Sequence, residues 1–333
     1  MNFVFRCDAS RKLGIGHVIR CLTLADYIKS HENNNISFAM RRSKLGIEMV
    51  RKRYNVFTPG ETRFNYSKWL IDIILETESK YLIIDSRDKL LKSDLRLIKK
   101  NTKVKVITID DPEDKRLECD VVLSPPVYQI DLMSWEGFKG KLFKGWEYVL
   151  LRDEFRLIHS NSENSIAHIL LSMGGTDNKN LTLDFIKIFN KVKLSFKLII
   201  IIGPGYLYKT TLQQELSKVS FPYEVYYDPV SISKIMTRAD FSVITFGQTA
   251  YELVALGIPG LYIFHTKDHY MSSKVFIDKG LGLSIGYADS FNIENNLILL
   301  EKLIYNVDLI NDMKNKCLSL KVCDMELIYN TII

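Results

Sequence analysis

Residues 3–28 read FVFRCDASRKLGIGHVIRCLTLADYI, and two periodicities meet inside them. Phe3 to Cys7 is a short apolar run rich in strand formers, while Val18, Cys21, Leu22, Ala25 and Ile28 recur at the helical spacing of three and four. The stretch predicts a strand that runs into a helix, with Asp8, Ala9, Ser10 and the turn Gly14-Ile15-Gly16 between them. His17 then falls in the first turn of the helix and faces the carboxyl end of the strand, the edge at which open α/β sheets bind ligands.

A Gly-x-Gly turn before a helix is equally accounted for by a tight turn and close packing. The dinucleotide fingerprint fails here. Its third glycine would fall at Ile19, and the next strand runs into Arg41 and Arg42 where a ribose-binding carboxylate is needed. What remains is a histidine at the positive end of a helix dipole, which disfavours an added positive charge by about 0.3–1 kcal/mol. A neutral imidazole there can accept a proton from water, and a positioned base of this kind contributes roughly 100- to 10,000-fold in rate. The plain alternative is a solvated loop histidine.

The chain has 333 residues, 47% of them hydrophobic, enough for two α/β domains. Its 45 basic and 39 acidic residues leave a net charge of +6, which suits anionic ligands such as nucleotide phosphates and falls short of a nucleic-acid footprint. Cys7, Cys21, Cys119, Cys317 and Cys323 show no paired C-x-x-C spacing, in keeping with a reducing cytoplasm. The start has too few apolar residues before Arg6 for a signal peptide, and no later run reaches the length of a membrane span. A soluble protein without membrane insertion is expected.

Strand and helix alternate after the opening unit. Strands are predicted over 36–40, 81–84, 104–109 and 120–122, and helices over 44–52, 64–77 and 92–100. This order argues for a parallel, doubly wound sheet. Its strands end in Asp8, Asp85, Asp110 and Asp111, acids that could line the crevice holding His17 or simply suit the turns. No histidine-carboxylate set has a recognisable metal-ligand spacing, so no metal and no cofactor are expected. Residues 124–144 read as irregular, and the polar stretch His159–Ser165 follows, so a domain boundary is placed near 150, giving domains 1–150 and 151–333.

The second half restarts the pattern. A strand over 166–173 leads into Gly174, Gly175, Thr176 and Asp177 and a helix from about Lys179 to Lys191, a turn whose backbone N–H groups can meet a phosphate. Further strands are expected over 197–202, 223–227, 241–245 and from about Leu261 to Phe264, with Ser231 capping a short helix to Arg238. Phe246-Gly247-Gln248-Thr249 opens another helix that carries Glu252 one turn in, where a carboxylate can accept two bonds from vicinal hydroxyls. His265 to Tyr270 reads as a polar loop at the same edge, in which Asp268 is favoured as a sugar-hydroxyl ligand over His265 and His269 as metal ligands. The helices from about Asn295 either finish this domain or cross back onto the first.

These residues also carry a family likeness. The DAS and GIGHVIRCLTLA segments, the later LLRDEF, the SMGGTD turn and TAYELVALGIPG resemble, in order, the UDP-sugar hydrolases of pseudaminic acid biosynthesis and their spore-coat polysaccharide relatives. The second half is similar to the glycosyltransferase that completes the lipid precursor of peptidoglycan. The resemblance implies a GT-B fold, two Rossmann-like doubly wound domains facing across a cleft, with UDP on the C-terminal domain and the sugar reaching into the N-terminal crevice. It implies that His17 is the base for water attacking the anomeric carbon with inversion; Asp8, Gly14, Gly16 and Asp85, at the strand ends and turn beside it, are taken as substrate-binding candidates. It further implies that Gly174, Gly175 and Thr176 meet the diphosphate with Gln248 and Thr249 near it, that Glu252 holds the ribose, and that Asp268 is the acid after the last core strand.

The chain departs from the family at three places. Asp85-Ser86-Arg87 stands for Asp-His-Tyr, Phe246-Gly247-Gln248 for a Gly-Gly-Ser/Thr segment, and His269-Tyr270 for Asn-Gln after the acid. These changes bring it nearer the spore-coat branch and allow a different sugar. The reading at this level is a hydrolase that removes UDP from a 2,4-diacetamido-trideoxyhexose. Its rivals are a glycosyltransferase in which His17 deprotonates an acceptor hydroxyl, and a silent nucleotide-sugar binding subunit. Oligomeric state is not readable from the residues.

Overall fold

The structure, a computed structural model, describes the chain except for residues 10–13, 32, 42, 43, 61, 62, 157–165 and 291. Ser10, Arg42 and the linker stretch His159–Ser165 therefore lie outside the described residues. The chain divides into two compact units, one of Met1–Arg152 with Cys323–Ile333 and one of Asp153–Val322.

In the first unit β1 (Asn2–Cys7) leads to α1 (Gly16–Ser30), followed by β2 (Asn35–Ala39), α2 (Lys44–Arg51), β3 (Asn55–Phe57), α3 (Tyr66–Glu76) and β4 (Tyr81–Asp85). Then come α4 (Lys92–Thr102), β5 (Lys105–Ile109), β6 (Val121–Ser124), the single turn α5 (Gln129–Leu132) and β7 (Lys141–Lys144). The strands form one sheet in the order β3-β2-β1-β4-β5-β6-β7. Each neighbouring pair is parallel. β4 is buried along its whole length and β1 along all but its first residue, as expected for strands covered on both faces. β1 is flanked by β2 on one side and β4 on the other, with Cys7 opposite Asp85, so the strand order reverses between β1 and β4.

β8 (Ala167–Ser172), α6 (Leu181–Phe189), β9 (Phe196–Ile202), α7 (Lys209–Leu216), β10 (Tyr223–Tyr227) and α8 (Ile232–Met236) open the second unit. It continues with β11 (Phe241–Thr245), α9 (Gln248–Ala255), β12 (Gly260–Phe264), α10 (Lys267–Asp278), β13 (Gly282–Tyr287), α11 (Ile293–Tyr305) and α12 (Val307–Leu318). The sheet order is β10-β9-β8-β11-β12-β13, again parallel throughout, and reverses between β8 and β11. Its core joins Phe185, Phe189, Leu198, Ile200, Val243 and Ile263 from sheet and helices.

The last helix, α13 (Met325–Ile332), is grouped with the first unit and not with Asp153–Val322. Backbone N–H groups of Cys323 and Asp324 bond the carbonyls of Trp146 and Glu147 at 3.0 and 2.8 Å. The Tyr329 ring lies tilted 4.8 Å from that of His31, the C-cap of α1, so the chain end is packed into the first unit. Short edge elements also escaped the sequence pattern. β7, inside the stretch expected to be irregular, reads KLFK with two exposed residues, and three residues of β3 are too few to show a period. Four of the six residues of the expected loop 265–270 are helical, because Thr266 accepts a bond from His269 N–H at 3.2 Å and caps the start of α10. Among the described residues no helix is long and apolar enough to cross a membrane, and all five cysteines are free and buried.

Candidate functional site

Both sheet reversals carry the residues that the sequence singles out, as Rossmann-like sheets place ligand sites at that point. In the first unit, His17 at the start of α1 meets Asp85 at the end of β4, with Nδ1 2.6 Å from Oδ1. Arg20, one turn along α1, donates from Nη2 to Asp85 Oδ1 at 2.8 Å and from Nε to Oδ2 at 2.9 Å. Its remaining nitrogen, Nη1, donates to Asp110 Oδ2 at 3.0 Å. Arg87 Nη2 approaches the same Asp110 oxygen at 3.5 Å.

Burial pushes the Asp85 carboxyl up, but the Arg20 guanidinium and the His17 ring outweigh it and hold the group at about 2. Asp85 is therefore ionised and can only accept, so Nδ1 of His17 carries the hydrogen, and in the neutral form of the ring the lone pair is on Nε2. Arg20 Nη2 also lies 3.1 Å from Nδ1, but two donors cannot bond each other. That contact follows from both converging on one carboxylate oxygen. The His17 side chain keeps 16% exposure against 1% for Asp85, so part of the ring stays accessible while its carboxylate partner is covered. A Cβ at Gly16 would meet nothing within 4 Å, which leaves the space over the start of α1 open, and Gly14 takes the left-handed turn before it at φ +75°.

The four strand-end acids thus part company. Asp85 and Asp110 join through Arg20, whereas Asp8 and Asp111 turn inward. Asp8 accepts from Arg6 Nη2 at 2.5 Å and from both the backbone N–H and Nε of Arg41 at 2.8 Å. Arg6 is fully buried and also bonds Asp88 and Tyr66. Asp111 is held by Thr108 and buried Lys115, at 3.1 and 3.2 Å.

In the second unit Gly174 (φ +79°) and Gly175 follow β8, and a Cβ on Gly174 would lie 3.5 Å from the Thr245 hydroxyl at the end of β11. The turn is packed from behind, since a Cβ on Gly203 would fall 2.5 Å from Gly175 Cα, and Gly205 N–H bonds the Gly175 carbonyl at 2.8 Å. Thr176 packs on Gly205 in the same turn. These glycines do not open a helix as expected. α6 begins at Leu181, and Asp177 accepts from the N–H groups of Leu181 and Thr182 at 2.8 and 2.9 Å, taking up that helix start. α9 differs: its N-cap is Gly247, no side chain caps it, and a Cβ at Gly247 would meet nothing within 4 Å. Gln248 and Thr249 form this half-exposed first turn, and Glu252 lies buried at 4% exposure one turn further. Asp268 is exposed in the first turn of α10. Among the described residues no group of three or more His, Cys, Asp or Glu is placed to hold a metal ion. A 790 Å³ groove lined by Leu283, Ile298, Tyr305 and Val307 holds none of the residues discussed.

Arg20 and Arg6 had no role in the sequence reading. Each left a signal: Arg20 sits three residues after His17 on the same helix face, and Arg6 interrupts an otherwise apolar strand, where a charge needs buried partners.

The chain is 27% identical over 291 residues, 86% of its length and all of the relative's, to the UDP-2,4-diacetamido-2,4,6-trideoxy-beta-L-altropyranose hydrolase of Campylobacter jejuni. It is 21% identical over 312 residues, 90% of its length and 86% of the relative's, to the spore coat polysaccharide biosynthesis protein SpsG of Bacillus subtilis. Among solved structures it is similar to MurG of Acinetobacter baumannii, with a TM-score of 0.75 at 12% identity over 100% of this chain and 99% of that one. No family model matches the chain. Its two parallel sheets and their helices form the GT-B fold.

Proposed function

We propose that the chain is a hydrolase that releases UDP from a UDP-2,4-diacetamido-2,4,6-trideoxyhexose by water attack on the anomeric carbon. The observation that carries this reading is the His17–Asp85 contact at 2.6 Å, which turns a lone histidine into an oriented base. Water gives its proton to Nε2 of His17 as its oxygen bonds the anomeric carbon. The bond from that carbon to the diphosphate oxygen breaks, and UDP leaves with the electron pair. Asp85 stabilises the imidazolium as it forms. Negative charge on the leaving diphosphate is met by the N–H groups at the start of α9, with Gln248 and Thr249, beside the Gly174-Gly175-Thr176 turn. Glu252 and Asp268 hold hydroxyls of the substrate, and Gly14 and Gly16 give the sugar room over α1. The similarity to a UDP-sugar hydrolase over the relative's full length supports water as the nucleophile.

The GT-B fold also hosts glycosyl transfer, in which an acceptor hydroxyl would replace water at His17. Incubation with candidate UDP-sugars, with and without acceptor, separates the two. Free sugar formed without acceptor supports hydrolysis, and strict acceptor dependence overturns it.

Glu252→Gln keeps the volume of a buried side chain and removes its charge. Loss of a charge-assisted hydrogen bond of about 1.5–3 kcal/mol is expected to weaken UDP binding roughly 10- to 150-fold. An unchanged dissociation constant by calorimetry rules the role out. EDTA is expected to leave turnover intact, because the α9 start supplies the donors for the diphosphate. Activity lost on chelation and restored by magnesium or manganese would overturn that assignment.

A further inference from the structure

We propose that Arg20 is a positioning residue that fixes Asp85 with a two-point grip and, through Asp85, sets both the tautomer and the proton affinity of His17. The proposal rests on the reading of His17 as base and deepens it.

An imidazole beside a bare carboxylate holds a proton too well, since a nearby opposite charge favours the ionised form by about 1–3 pKa units. It would then be protonated when it should be accepting. Arg20 answers this in two ways. It occupies both oxygens of Asp85, at 2.8 and 2.9 Å, which leaves the carboxylate one orientation toward Nδ1. It also brings a permanent positive charge to 3.1 Å from that nitrogen, so the ring faces a neutralised ion pair. The grip is itself anchored, because Nη1 of Arg20 bonds Asp110 Oδ2 at 3.0 Å.

The other ionisable groups around the ring do not substitute for it. From β1 and α1, the free thiols of Cys7 and Cys21 share a hydrogen bond, and burial pushes the Cys21 thiol well up, so it carries no charge. From the segment after β4, Arg87 reaches Asp110, at 3.5 Å. Among the described residues it is Arg20 that bridges the two carboxylates. Lysine at this position would keep the charge and lose the planar fork that spans two oxygens.

The test is titration of the His17 ring by nitrogen-15 NMR on the full chain, identified among six histidines by its absence in His17→Asn, together with pH profiles of turnover. In Arg20→Gln the His17 midpoint is expected to rise by about one unit or more, and in Asp85→Asn to fall. The acidic limb of turnover should move in the same two directions. Arg20→Lys should keep the midpoint near wild type while kcat falls at least about tenfold with KM little changed. An unmoved midpoint in a folded Arg20→Gln overturns the proposal. If that variant does not fold, wild-type kcat in Arg20→Lys overturns it instead. The titration needs no substrate, so its failure is distinct from failure of the hydrolase reading, which shows only in the products.

Discussion

His17→Asn is expected to lower turnover by on the order of 100-fold or more while UDP binding stays within about threefold, or roughly 0.65 kcal/mol. Asparagine keeps a small polar group at the start of α1 and can still donate to Asp85, so the ion pairs of Arg20 remain in place. What it lacks is a nitrogen with a lone pair toward solvent. Wild-type turnover should fall at low pH as the imidazole takes up a proton before water can offer one. That limb should be missing from the residual activity of the variant. Steady-state rates and calorimetry with UDP check both halves. Near-normal turnover, or a rate lost entirely through weaker substrate binding, would mean that His17 only positions the sugar.

Arg6→Leu is expected to destabilise the first unit by about 3–5 kcal/mol, because it removes the buried cation that Asp8 and Asp88 share. Arg6 is fully buried and joins Asp8, Asp88, Tyr66 and the carbonyls of Cys7 and Ala39. Leucine fills much of its volume and supplies no donor. The three tryptophans, Trp69, Trp135 and Trp146, all lie in the first unit, so tryptophan fluorescence follows its unfolding alone. A drop of at least about 1 M in the urea midpoint is expected. An unchanged midpoint would show that the network contributes little.

The same pair of proteins makes a test in pH. Burial pushes Asp88 up, but Arg6 and its other partners hold it below the usual carboxylate range. A depressed folded-state value contributes stability that is fully present above the unfolded value of about 3.9 and is lost as pH falls through the folded one. Without Arg6 the largest of the groups that lower it is gone and the Asp88 carboxyl moves up, so the variant's penalty is present at neutral pH and shrinks on acidification. The gap between the two proteins should therefore narrow from pH 7 toward pH 4. A gap independent of pH would mean that the leucine side chain disturbs packing and leaves the carboxylates unaffected.

The class of fold and the position of His17 on it were legible in the residues alone. Largely apolar runs at β1, β4, β8 and β11, each followed by a turn and a helical period, permit little besides two parallel, doubly wound sheets. The same periods put His17 in the first turn of α1 and Glu252 one turn into α9, because helix phase is a local property. The partner of each strand-end acid was decided only in three dimensions. Asp8, Asp85, Asp110 and Asp111 look alike in the chain, yet two serve the Arg20 cluster and two are spent on Arg6, Arg41 and Lys115. Those bonds join residues many positions apart, 68 between His17 and Asp85. Strand order decides which loop ends meet. The helix starts divide the same way: Asp177 closes α6 and no side chain caps α9, a difference set by side-chain geometry in the folded turn, which leaves no trace in residue spacing.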